Sequence, residues 1–219
     1  MKKTIYLVVI LFSSFLHAQK FEFDLLAKYN SKMKDYNRES IVYSNSKDEN
    51  YFLSVSGNSE SKKIASLYDI KKMIKHNFEV IGSKSREEVF FEFRYVDSNS
   101  INYDKKFYEY EFEYTTIDND SLNKTIKVDV YKNSKRKKSE TSLILQLKKS
   151  TVNLFPLFRF SCLHPFEFIQ KLNIPGNFMI ESGKRTTLFG NKSEHKLLYY
   201  KDVKFELDIP INIKPNGQH

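Results

Sequence analysis

A mainly β fold, a single curved antiparallel sheet with one or two short helices packed on it, is predicted for this 219-residue chain by three observations. Apolar and polar residues alternate over successive short runs, most clearly between residues 88 and 148, and a period of two marks a half-buried strand. Clusters of Asp, Asn, Ser and Lys separate those runs and supply turns. No fixed-length repeat, low-complexity linker or shift of composition marks a domain boundary, so one sheet in one domain is the economical arrangement.

The chain opens MKKTIYLVVILFSSFLHAQ. Lys2 and Lys3 form a basic start, Leu7 to Leu16 an apolar run broken only by two serines, and Ala18 a small residue where a signal peptidase would cut. The run is shorter than the ~20 apolar residues that span a bilayer. Residues 1–19 therefore read as a signal peptide and 20–219 as one β-rich domain, exported to the periplasm or secreted, and soluble once cut. No cysteine stands near the cut to carry a lipid.

Behind Asp24 as a cap, Leu25, Leu26, Tyr29 and Met33 recur at helical spacing, which predicts a short amphipathic helix. "ESIVYS", "YFLSVSG" and "NFEVIG" follow as strands, with turns at Gly57-Asn58 and Gly82-Ser83. Residues 62–75 fit either a helix through Ile70, Met73, Ile74 and Phe78 or a strand through "KIASLYD". Then come four strands read as a meander able to curl into a half-barrel. In "EVFFEFRYV", Val89, Phe91, Phe93 and Tyr95 share a face; in "KFYEYEFEYTTI", Tyr108, Tyr110, Phe112 and Tyr114 do. "TIKVDVYK" sets Ile126, Val128 and Val130 against Lys127, Asp129 and Tyr131, and "SLILQLKK" aligns Leu143, Leu145 and Leu147. "DSNS" at 97–100, "DNDS" at 118–121 and "KNSKRKK" at 132–138 are the intervening turns. Pro165 opens a second predicted helix through Phe166, Ile169 and Leu172, which Pro175-Gly176 stops. Phe205, Leu207 and Ile209 alternate in a last strand, and "IKPNGQH" reads as a disordered tail.

The formal charge is +9, falling to +7 when Lys2 and Lys3 leave with the signal peptide. Lysines and glutamates are interspersed, so most of this charge solvates the surface. "KNSKRKKSE" concentrates it in one turn, where Lys135, Arg136, Lys137 and Lys138 could touch anionic headgroups, each worth about 1 kcal/mol near a charged membrane. Export and the lack of a binding motif argue against nucleic acid.

The glutamates at 109, 111 and 113 turn one face of their strand to water, and the aromatic row turns inward. Burial of each large apolar ring contributes about 1.5–3 kcal/mol, so core packing suffices to explain the row. Three tyrosines in one row are less usual in a closed core, because each buried hydroxyl needs a partner. At the mouth of a cavity those hydroxyls reach water or a polar ligand head. Phe91, Phe93, Tyr95, Tyr108, Tyr110, Phe112 and Tyr114 are therefore the candidate lining of a site for a lipid or another apolar molecule. Export, length and the meander make the architecture similar to the lipoprotein-carrier fold of bacterial envelopes, a long curved sheet partly closed around helices; no diagnostic motif carries that resemblance.

Other chemistry finds little support. Cys162 is the only cysteine, so no disulfide forms within the chain. In a strand, Cys162 and His164 of "SCLHP" would share a face, but a catalytic pair also needs an orienting group and an oxyanion site. His76, His164, His195 and His219 lack metal-ligand spacing, and "DNDS" lacks the glycine and glutamate of a calcium loop. There is no phosphate-binding glycine loop and no G-x-S-x-G elbow. No cofactor and no metal are expected. The sequence reads as an exported non-enzymatic binding protein. A protein-interaction module with a filled core is the alternative, and a thiol-dependent hydrolase the more remote one.

Overall fold

The longest ladder in the molecule joins two strands far apart in sequence. β1 (Gln19–Met33) runs antiparallel to β11 (Lys192–Ile209), from Gln19 opposite Ile209 to Met33 opposite Ser193. This computed structural model describes residues 19–34, 36–56, 63–83, 91–102, 109–133, 135, 138–163, 172 and 174–210. On one side of the central pair lie β2 (Asn37–Ser44), β3 (Tyr51–Ser56), β4 (Ile64–Asp69), β5 (Ile74–Ser83) and β6 (Phe91–Ser100). On the other lie β10 (Phe178–Thr187), β9 (Ser139–Lys149), β8 (Asn123–Tyr131) and β7 (Glu111–Asn119). All pairings are antiparallel and form one 11-stranded sheet ordered β6-β5-β4-β3-β2-β1-β11-β10-β9-β8-β7. The sheet stays open, with β6 and β7 as its edges. One helix is present among the described residues, α1 (Phe155–Cys162), so the mainly β, single-sheet expectation holds.

Two cores use opposite faces of this sheet. The first gathers Ile126, Val128, Leu143, Leu145, Leu147 and Ile180 beneath α1, with Leu25, Ala27, Tyr29, Val42 and Phe52 from the central strands. The second gathers Phe21, Phe23, Leu26, Ile41, Tyr43, Leu53, Val55, Leu67, Phe78 and Phe91. In it Phe93 of edge strand β6 packs 5.6 Å from Phe205 of β11, although five strands intervene, so this wing curls on itself. β1 serves both cores. Its buried residues change face between Phe23 and Leu25, where the register with β11 shifts.

That face change overturns the helix predicted at 24–33. Leu25 and Leu26 are both buried because β1 has a core on each side, and a doubly buried strand can imitate helical spacing. The ambiguous stretch 62–75 resolves as β4, a turn and the start of β5. Two predicted turns are strand instead. β5 runs through Gly82-Ser83, and "DSNS" completes β6, its polar side chains paired with β5: Asn77 Nδ2 donates to Asp97 Oδ1 at 2.6 Å, and His76 Nδ1 lies 2.5 Å from Ser98 Oγ. Because β6 and β7 occupy opposite edges, the four-strand meander reduces to β7-β8-β9. The signal peptide up to Ala18, the Gly57-Asn58 turn, most of the Pro165 helix and the tail from residue 211 lie outside the described residues.

The α1 helix was not foreseen. Its signal is Asn153 two residues before Phe155, whose N–H donates to Asn153 Oδ1 at 3.1 Å, and Pro156 in the first turn, where its missing N–H is harmless. All eight of its residues are buried, so no amphipathic stripe announces it.

Candidate functional site

The ladder registers carry the first core outward in straight rows. Tyr114, Val128, Leu143, Arg185, Ser193 and Met33 stand opposite one another in turn from β7 to β1. The next row is Thr116, Ile126, Leu145, Gly183, His195, Ser31 and Arg38. Directly opposed residues share a face, so both rows belong to the face under α1. At the β1 and β11 end they open into a cleft of about 810 Å³. The turn from β1 to β2 lends Met33, Lys34 and Tyr36, and the turn from β10 to β11 lends Gly190, Asn191 and Lys192. Arg185, Thr187, Ser193 and His195 rise from the strands, and Cys162 closes the inner end of α1.

His195 is the buried polar centre of this wall. Its Nδ1 lies 2.8 Å from Ser31 Oγ and its Nε2 3.0 Å from Ser193 Oγ, while Phe158 meets the ring edge-on at 5.9 Å. Burial, reinforced by the Arg185 and Arg38 guanidiniums, lowers its pKa from 6.5 to about 4, so the ring is neutral near pH 7. Arg38 Nη2 donates to the Ser161 carbonyl at 3.4 Å and so partners one carbonyl at the C-terminal end of α1.

Cys162 lies on this helix and not on a strand, so the alternation that would align it with His164 does not apply; His164 lies outside the described residues. The hydroxyl of Ser31 is 4.0 Å from Cys162 Sγ and separates the thiol from His195. Burial pushes the Cys162 pKa well up, away from the thiolate that nucleophilic chemistry requires. The thiol is therefore expected to resist alkylating reagents in the native protein and to react at the rate of a free thiol once the chain is unfolded. Rapid native-state labelling, followed by mass spectrometry, would contradict this. Among the described residues no group of three or more His, Cys, Asp or Glu side chains is placed to hold a metal ion.

The aromatic residues singled out in the sequence stand on two surfaces. Phe91, Phe93 and Tyr95 face the second core from β6, with Phe91 buried and the others half-buried. Phe112 packs against the first core at its β7 edge, Tyr114 beside it is 42 % exposed, and Tyr110 is half-buried just before the strand. Tyr108 lies outside the described residues. Of the basic turn, Lys135 and Lys138 are exposed, while Arg136 and Lys137 lie outside the described residues. Sequence reasoning missed Ser193 and His195 because the last strand begins at Lys192, before the apolar run that signalled it. Their spacing of two, which puts both on one face, was the available clue.

No helix among the described residues is long and apolar enough to cross a membrane. Comparison with known proteins finds no matching family model and no matching curated protein. Among solved structures the chain is similar to a LolA superfamily protein from Nitrosomonas europaea, with 10% sequence identity, a TM-score of 0.30, and coverage of 85% of this chain and 88% of that one.

Proposed function

We propose that this is a non-enzymatic binding protein of the cell envelope, and that it holds a lipid or another apolar small molecule against the face of its sheet under α1. The observation that carries this reading is the cleft itself. A volume of about 810 Å³ falls within the range of small-molecule sites, about 300–1,000 Å³. It continues the row that runs from Ser193 and Arg185 through Leu143 and Val128 to Tyr114, and, through Thr187, the neighbouring row of Thr141, Val130 and Phe112. Tyr114 and Phe112, with Tyr110 before them, are the part of the predicted lining best placed to extend the site across the sheet. Phe91, Phe93 and Tyr95 serve the curled wing.

An anionic membrane surface is the partner this reading assigns to the open end. The start of β9, which follows the basic turn in the chain, lies beside the turn from β10 to β11, since the Leu188 N–H donates to the Glu140 carbonyl at 2.8 Å. Phe189, 85% exposed, and Tyr36, 55% exposed, flank the mouth and suit the bilayer interface, where an aromatic ring and neighbouring lysines are both accommodated. The opening stretch read as a signal peptide is consistent with that compartment.

Native and denaturing mass spectrometry of protein purified from its own compartment tests the binding function. A reproducible non-protein mass that is lost on denaturation is the expected result and identifies the ligand class. A bare chain that also fails to take up added lipids would favour a protein-interaction role, with edge strands β6 and β7 as the first surfaces to probe.

A further inference from the structure

Charge is sorted across the sheet at the cleft. Strand alternation turns Arg185, Ser193 and His195 inward, whereas Lys184 and Glu194, which oppose each other between them, pair on the outer face at 3.6 Å. The described lining includes three cationic side chains, Lys34, Arg185 and Lys192. Hydroxyl and amide donors from Ser193, Thr187 and Asn191 stand among them. Met33, Tyr36 and Cys162 supply the apolar part of the same wall.

A wall with clustered cations on one side and apolar surface on the other matches a molecule that is itself divided in this way. Burial is the main cause of the low pKa of His195, and Arg185 and Arg38 add to it by opposing the ring's protonation. The carbonyl end of α1 would repel an anion, but Arg38 already occupies the Ser161 carbonyl there. An incoming anion is thus met by Arg185 from the strand and by Lys34 and Lys192 from the two turns.

Building on the binding-protein reading, we infer that the ligand is an anionic amphiphile, its head held by Arg185, Lys34 and Lys192 and its chain laid along Met33, Tyr36 and Cys162. A carboxylate and a phosphate share the required chemistry. Hydrogen bonds between ionised partners are about twice as strong as neutral ones, and the guanidinium offers either anion a two-pronged contact.

Three probes with one chain length separate the possibilities: laurate, dodecyl phosphate and dodecanol, each titrated calorimetrically into the purified full chain. At least one anion is expected to bind roughly tenfold or more tighter than dodecanol, with the preference shrinking as salt is raised. The anion that binds better identifies the head as carboxylate or phosphate. Arg185→Gln, and separately the paired Lys34→Gln/Lys192→Gln change on the turns, should each erode the preference. The pair guards against a misfolded Arg185 variant. Equal binding of alcohol and anions would overturn the anionic head while leaving the apolar site intact. An anion preference that neither variant alters would place the head elsewhere and overturn the inference too. Failure of all three probes to bind would overturn the inference together with the binding function on which it rests.

Discussion

Replacing Phe158 with alanine is expected to lower the free energy of unfolding by about 3–5 kcal/mol, the range for deleting a fully buried large aromatic side chain. Phe158 is the residue through which α1 is seated. It has no exposed surface, packs edge-on against Tyr29 at 5.6 Å, and touches Phe155 and His195 at 6.3 and 5.9 Å. A helix of eight residues has too few hydrogen bonds to offset its own nucleation, so α1 persists only because it is packed. The sheet is shaped to receive it at Gly183, where an added Cβ would lie 2.8 Å from Phe158 Cζ and 3.0 Å from Leu145 Cδ2. Gly183→Val should therefore destabilise from the opposite side, by about 1–3 kcal/mol of overpacking. Urea unfolding curves of the two variants check both values. Since natural domains are stable by only about 5–15 kcal/mol, the Phe158 variant should also lose the cleft that α1 helps to close. Unchanged midpoints would mean that α1 does not rest on this row.

Acid should destabilise the protein through His195 over the interval from pH 6.5 to about 4. In the folded chain this imidazole has its pKa lowered to about 4, chiefly by burial and further by Arg185 and Arg38, whereas in the unfolded chain it titrates near 6.5. Above pH 6.5 the ring is neutral in both states and carries no penalty. As pH falls from 6.5 towards 4, the unfolded chain takes up a proton that the folded chain refuses, and stability falls with it. The full loss approaches about 3 kcal/mol, because a proton affinity lowered tenfold on folding corresponds to about 1.4 kcal/mol. His76, whose pKa burial also lowers, adds to the loss in the same direction. His195→Gln keeps a donor and an acceptor for Ser31 and Ser193 but cannot titrate. The difference in stability between this variant and the parent, measured by urea unfolding across the interval, should change steadily as pH falls. A constant difference would show that His195 is not held neutral.

What the sequence disclosed follows from how many cores each strand serves. β8 and β9 each have one wetter face, so Ile126, Val128, Leu143, Leu145 and Leu147 alternate with mostly polar residues, Ile144 excepted, and were read correctly. β1 around residues 25–27 and the second half of β2 are buried on both faces, which breaks the alternation and let Leu25, Leu26, Tyr29 and Met33 pass for a helix. Local polarity misled in the other direction at "DSNS". There Ser98 is buried against His76, a pairing that exists only once β5 and β6 are side by side. The cleft was illegible for a related reason. Arg185, Ser193, Met33 and Tyr114 are brought into one row by registers across six strands, and no spacing in the chain records registers between strands so distant. The aromatic row on β7 was visible; its separation from the row on β6 was not, because short intervals between strands suggest hairpins.

The pairing of β1 with β11 also sets an order of events. Every other ladder joins strands that follow one another along the chain, so each wing is a succession of local contacts. The central ladder instead closes a loop of most of the chain's length, and such non-local pairing is the slow part of folding. Until β11 is available, β1 lacks one neighbour and both cores lack the residues of that strand: Phe205, Leu207 and Ile209 on one face, and His195 and Leu197 on the other. A chain made from its N-terminus thus cannot complete either core until its final described strand has emerged.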